Sequence, residues 1–129
     1  VAALADAGCF EVHIGVESGD PWIRNEVLGK KVDDEQLVAA FDLLRAHGIG
    51  TFGFNMLGLP YETEESMWRT VELNRRLMPD TVFVSVFNPF PGPDLHDLVV
   101  DKGWLSDRKV ESYFEHTSVV IQPSVDAAT

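Results

Sequence analysis

The chain is 129 residues long, 45% hydrophobic and 24% charged, the proportions of one modest soluble domain with a core of its own. Its formal net charge of −11 argues against a sequence-independent nucleic-acid footprint, which needs a basic surface, and fits a solvated cytosolic protein. No apolar run approaches the ~20 residues that span a bilayer, no basic-then-apolar leader is visible, and a single cysteine, Cys9, excludes an internal disulfide and a cysteine-rich metal site.

Val1 to Ala7 reads as the end of a helix stopped by Gly8. A first strand follows through Val12-His13-Ile14-Gly15-Val16 and runs into Glu17-Ser18-Gly19-Asp20. Asp20-Pro21 has the form of an N-cap with proline at the first helical position, opening a short helix from Trp22 to Leu28 that stops at Gly29. Asp33 and Gln36 have capping-box spacing, and Leu37, Val38, Phe41 and Leu44 form an apolar stripe at helical period up to Gly48. The second strand, Phe52-Gly53-Phe54-Asn55-Met56-Leu57, runs into Gly58-Leu59-Pro60-Tyr61-Glu62-Thr63. Thr63 is an N-cap before Glu64 and Glu65, and Met67, Trp68, Val71 and Met78 supply the next expected stripe. Pro79-Asp80 breaks that helix. The third strand, Val82-Phe83-Val84-Ser85-Val86-Phe87, runs into Asn88-Pro89-Phe90-Pro91-Gly92. A helix from Asp94 to about Lys102 has Leu95, Leu98 and Val99 inward and Gly103 as its stop. Trp104 to Glu115 is ambiguous, Thr117 to Ile121 is a candidate short strand, and Pro123 to Thr129 has the composition of a disordered tail.

Strands alternating with helices imply a parallel sheet, and successive strands lie roughly 30 to 40 residues apart, a normal interval for βαβ units. Parallel strands bring all three polar corners to one end, the carboxyl end, where such folds bind ligands. On the first strand Phe10, Val12, Ile14 and Val16 share a face suited to helix packing. Glu11, His13, Gly15 and Glu17 share the other, too polar for an ordinary barrel core. Glu17 is therefore either a lumen residue or a cap on the next turn. On the third strand Ser85 with Phe83 and Phe87 reads as a second lumen face. On the second, parity turns Phe52, Phe54 and Met56 outward, opposite Thr51, Gly53 and Asn55, while an aromatic-plus-thioether face equally suits a flat ligand such as an adenine. His13, Cys9 and the three tryptophans are read as packing residues.

The three corners together resemble a known family. Ile14-Gly15-Val16-Glu17-Ser18-Gly19 resembles the fourth-strand motif of radical S-adenosylmethionine (SAM) enzymes. Leu57-Gly58-Leu59-Pro60-Tyr61-Glu62-Thr63 is similar to the fifth-strand "G-x-P-G-E-T" signature, and Asn88-Pro89-Phe90-Pro91-Gly92 to the sixth-strand "P-x-P-G-T" corner. Their order and separation match too, and the branch resembled includes methylthiotransferases and enzymes with an added cobalamin-binding domain. The resemblance implies an α/β fold, the C-terminal half of a (β/α)6 partial TIM barrel with parallel strands. Residues 1–103 would form that half and residues 104–129 a C-terminal extension.

It also implies the chemistry: a [4Fe–4S] cluster reduces SAM, and a 5′-deoxyadenosyl radical abstracts a substrate hydrogen. The cofactor-binding residues it implies are Glu17, Ser18, Phe54, Asn55, Met56, Gly58, Phe87 and Asn88, with Glu17 on polar parts of SAM, Phe54 and Met56 against the adenine, and the Phe87-Asn88 backbone at its edge. Tyr61 stands where the family has Gly, and Pro93 where it often has Thr. The family's Cys-x3-Cys-x2-Cys cluster motif is absent, so the cluster ligands are expected outside this chain, the upstream half of the same barrel is the expected partner, and a cobalamin domain upstream is a further expectation of the branch. No catalytic residue and no metal ligand is assigned within the chain. A cytoplasmic radical SAM enzyme is the leading reading; half of another (β/α)-barrel enzyme and a non-catalytic barrel-derived binding module are the alternatives. No lysine ends a strand as a Schiff base would, and no Gly-x-Gly-x-x-Gly loop opens a helix.

Overall fold

Each strand pattern is followed by a helix that buries one stripe against it. In the computed structural model, which describes residues 1–107 and 118–124, the order is α1 (Ala2–Asp6), β1 (Glu11–Glu17), a π-helix (Ile23–Val27), α2 (Asp34–Ala46), β2 (Gly50–Leu57), α3 (Glu64–Leu77), β3 (Thr81–Val86) and α4 (Asp94–Asp101). The three strands form one parallel sheet in the order β1-β2-β3, so the α/β architecture and the strand order follow the alternation read from the sequence. The register of β1 on β2 slips at Val16, because Gly15 pairs with Phe54 while Glu17 pairs with Asn55. That irregularity carries Glu17 into the left-handed region at φ +67.

The helix ends are built as their sequences dictate. Asp33 and Gln36 make a full capping box on α2, and Thr63 makes another on α3 with Ser66 as its partner. Asp20 caps the segment after β1, its Oδ1 accepting from the N–H groups of Trp22 and Ile23. The helix so capped is a π-helix and not the α-helix expected: Leu28 N–H bonds to Ile23 C=O, five residues back, at 2.9 Å.

Helices α2 and α3 cover one face of the sheet. Val16 meets Leu37, Phe41, Leu73 and Leu77 there in the main core. The stripe expected on α3 is corrected. Its buried residues are Ser66, Thr70, Leu73 and Leu77, whereas Trp68 is 64% exposed, Met78 64% and Val71 48%. Ser66 is held inward as the capping-box partner of Thr63, and Thr70 where the chain after β1 approaches the helix closely. Gly19 N–H donates to Thr70 Oγ1 at 2.8 Å, and a Cβ on Gly19 would lie 2.2 Å from the Arg69 carbonyl oxygen. The parity reading of β2 is corrected as well. Gly53 and the buried Thr51 and Asn55 side chains lie on the helix side, and Phe52 and Phe54 lie on the opposite face with His13 and Phe83.

A second apolar cluster joins Ile23, Leu59, Phe87 and Val99 at the carboxyl ends of β2 and β3, with Met56, Leu95, Trp104 and Val120 packed against it. Phe87 is thus a core residue and not part of an aromatic wall beside Ser85. The candidate strand after residue 116 reduces, among the described residues, to one antiparallel bridge between Leu105 and Val120. Thr117, most of the ambiguous Trp104–Glu115 segment and most of the expected tail lie outside the described residues. No described helix is long and apolar enough to cross a membrane.

Candidate functional site

The face of the sheet turned away from α2 and α3 carries a row of rings. His13 stacks on Phe52 with centroids 4.7 Å apart, Phe52 lies 4.8 Å from Phe54, and Phe54 meets Phe83 edge-on at 5.6 Å. At the carboxyl end of this row the left-handed backbone of Glu17 folds its side chain back over Gly15. Glu17 Oε1 occupies the space of an absent Cβ, 2.1 Å from where one would sit on Gly15. Lys30 reaches the same spot from the loop after the π-helix. Its Nζ donates to Gly15 C=O at 2.5 Å and pairs with Glu17 Oε1 at 3.0 Å. A carboxylate and an ammonium therefore stand side by side, 19% and 31% exposed, next to Phe54 across the ladder.

The corner after β2 is held by a buried acid. Glu62 Oε2 accepts from Gly58 N–H at 2.5 Å and Leu59 N–H at 3.2 Å, while Oε1 is buried with no hydrogen-bond partner among the described residues. Burial pushes its pKa from 4.5 to about 7; the two N–H donors oppose the rise and the Asp20 charge adds to it. Tyr61 adopts φ +65, the geometry of the glycine that its position normally holds. Its ring is wedged edge-on between Trp22 at 5.5 Å and Trp104 at 5.1 Å, and Gln122 Oε1 accepts its N–H at 2.7 Å. These contacts hold a non-glycine residue in a costly region. At the end of β3, Asn88 Oδ1 is buried without a hydrogen-bond partner among the described residues.

A family model described as the radical SAM superfamily matches residues 1–73, more than half of the sequence. The chain belongs to the radical SAM superfamily. It is 29% identical over 98 residues to an uncharacterized methyltransferase of Pyrococcus horikoshii, a match covering 76% of this chain and 21% of that protein. It is 30% identical over 96 residues to an anaerobic magnesium-protoporphyrin IX monomethyl ester cyclase of Rubrivivax gelatinosus, covering 74% and 17%. It is 37% identical over 87 residues to a probable threonylcarbamoyladenosine tRNA methylthiotransferase of Pyrococcus horikoshii, covering 63% and 19%. The chain thus spans about a fifth of the length of these relatives.

Radical SAM proteins in general use SAM and a [4Fe–4S] cluster. The residues present do not fit the cluster: the one cysteine, Cys9, directs its thiol at Glu11 C=O, and no group of three His, Cys, Asp or Glu among the described residues is placed to hold a metal. They do fit a polar, aromatic ligand. Glu17 and Phe54 share the open face, Met56 stands at its upper end beside the second cluster, and Gly58 and Asn88 lie on the rim above. Ser18 and Asn55 sit behind that face. Ser18 is fully buried, its hydroxyl accepting from Asp20 N–H, and Asn55 exchanges amide hydrogen bonds with Asn74 of α3. Phe87 turns its ring into the second cluster, leaving its backbone at the rim, where its N–H is bonded to Leu57 C=O.

Three residues of this end escaped the sequence reading. Glu62 lay inside a recognised corner with nothing to mark its burial. Lys30 is one of two adjacent lysines, and only the π-turn decides which of them points inward. Arg24, fully buried, sits on a short helix with no spacing that marks it.

Proposed function

We propose that this chain forms the SAM-facing and substrate-facing wall of a radical SAM enzyme, with the cluster held by cysteines other than its own. The carrying observation is the Glu17–Lys30 pair on the open face over Gly15. A methionyl group is a zwitterion, and a carboxylate beside an ammonium offers its α-amino group an acceptor and its α-carboxylate a donor. With SAM in place, each side chain exchanges its present partner for the ligand's opposite charge, so neither charge is left unpaired. Phe54 and Met56 supply an apolar surface for adenine, and the Phe87–Asn88 backbone would meet its edge. Held there by Glu17, Lys30 and the Phe54–Met56 surface, SAM would supply hydrogen-abstraction chemistry once a [4Fe–4S] cluster bound outside this chain provides the electron. The His13, Phe52 and Phe83 rings below offer the substrate an apolar wall. The upstream half of the barrel is the partner that would close the face. The substrates of the named relatives do not select one for this chain.

The test is titration of SAM into the full-length protein and its Glu17→Ala variant. A charged hydrogen bond of this kind is worth about 1.5–3 kcal/mol, so affinity should fall roughly ten- to a hundred-fold with the melting temperature little changed. A lowered melting temperature with unchanged SAM affinity would make Glu17 a turn residue and defeat the proposal.

A further inference from the structure

We infer that Arg24 and Asn25, consecutive residues of the π-helix, are positioning residues that set Lys30 against Glu17; the inference rests on reading that pair as the SAM amino-acid site. The two side chains grip one backbone unit from both ends. Asn25 Oδ1 accepts the Val32 N–H at 2.8 Å, and Arg24 Nε donates to the Val32 C=O at 3.1 Å. The Arg24 backbone adds a third bond, its carbonyl accepting the Lys30 N–H at 3.1 Å. Lys30 is therefore tied at its own amide and again two residues later.

The same guanidinium reaches the other partner of the pair. Arg24 Nη1 donates to the carbonyl of Ser18, the residue after Glu17, at 2.9 Å, and Nη2 pairs with Asp34 Oδ1 at 2.5 Å. One fully buried fork thus spans the backbone beside Glu17, the loop of Lys30 and the start of α2. Arginine suits this task because its donors are fixed in a plane, whereas a lysine ammonium is a point charge on a flexible stem. Mere packing would not require a charge here, since burying one is costly unless every donor is met. The π-turn supplies the extra residue that puts Arg24 and Asn25 within reach of Val32 together, in keeping with the frequency of such turns at functional sites. The loop they hold includes Lys31 at φ +54, a conformation that a free loop would leave.

The experiment compares two ligands that differ only at the methionyl end. SAM and 5′-deoxyadenosine are titrated calorimetrically into the full-length, cluster-loaded protein and its Asn25→Leu, Asn25→Asp and Arg24→Lys variants. Asn25→Leu should weaken SAM about tenfold and leave 5′-deoxyadenosine within about twofold, because only SAM meets Lys30. Asn25→Asp keeps the acceptor for the Val32 N–H and should hold SAM affinity near wild type. Arg24→Lys should show the same selective loss, and in a Lys30→Met background Asn25→Leu should add nothing further. Equal weakening of both ligands, or none, overturns the positioning role while the SAM site stands. A wild-type protein that binds neither ligand overturns the SAM reading and this inference with it. The Asn25 pair keeps the test decisive even if Arg24→Lys fails to fold.

Discussion

The buried Glu62 makes the stability of the rim depend on pH in an unusual direction. Its carboxyl rises from 4.5 to about 7 on folding, first because burial disfavours the charge and then because Asp20 is near. The folded chain therefore holds a proton that the unfolded chain has released between those two values. The stabilisation is fully present below pH 4.5 and is lost as pH climbs through about 7, the reverse of an ion-paired carboxylate. The rise corresponds to about 3 kcal/mol in all, most of which lies between about pH 5 and pH 8. Glu62→Gln imitates the protonated acid, since its amide oxygen still accepts from Gly58 and Leu59. Urea denaturation at a series of pH values should show the variant close to wild type near pH 5 and more stable by about 2 kcal/mol near pH 8. Asp20→Asn should move the wild-type midpoint to lower pH. Parallel profiles for wild type and Glu62→Gln would refute the argument, because they would mean that Glu62 ionises in the folded chain as it does in the unfolded one.

Two further outcomes follow from the geometry. Gly19→Ala should destabilise by at least about 1–3 kcal/mol in a thermal melt, because the new Cβ meets the backbone of Arg69, not a flexible side chain; an unchanged melting temperature would show that α3 can move away. Anaerobic reconstitution of this chain should yield no stoichiometric iron and sulfide, since one thiolate cannot replace three cluster ligands; a full cluster signal with SAM cleavage would overturn the division of labour proposed above.

The order and type of the elements were legible because they rest on local chemistry. Caps at Asp33 and Thr63, breaks at Gly48 and Pro79, and alternation along Val12–Val16 each act within a few residues. What was not legible depends on contacts far apart in the chain. The burial of Thr70 on α3 depends on Gly19, some fifty residues earlier in the sequence, whose N–H it accepts and whose lack of a side chain permits the close approach, while Trp68 stays exposed. The facing of β2 was ambiguous because Thr51 and Asn55 are polar yet buried, each satisfied by a specific partner, Asp80 and Asn74. Polar residues with bonded partners read as exposed to any pattern that counts only hydrophobicity. Likewise the three corner motifs identified the end of the sheet that matters, but the Lys30 contact depends on a π-turn and Glu62 on its depth, and neither has a sequence period.

The rim is tied together through Asp20. Its Oδ1 caps the π-helix at Trp22 and Ile23, which presents Arg24 and Asn25 to the Lys30 loop. Its Oδ2 pairs with Arg69 on α3 at 2.8 Å, an exposed bridge that adds little stability by itself yet fixes where the carboxylate stands. From there its charge reaches the buried Glu62 under the second corner and helps to keep that acid protonated. One side chain thus sets the helix that carries the positioning residues and biases the proton that holds the Gly58–Leu59 turn. Protonated, Glu62 accepts both turn N–H groups without an uncompensated charge; ionised, it leaves a buried negative oxygen with no partner among the described residues. The two corners facing the proposed ligand are therefore coupled by electrostatics as well as by the sheet between them, and a substitution at Asp20 should disturb both where one at Ser18 or Gly58 disturbs one.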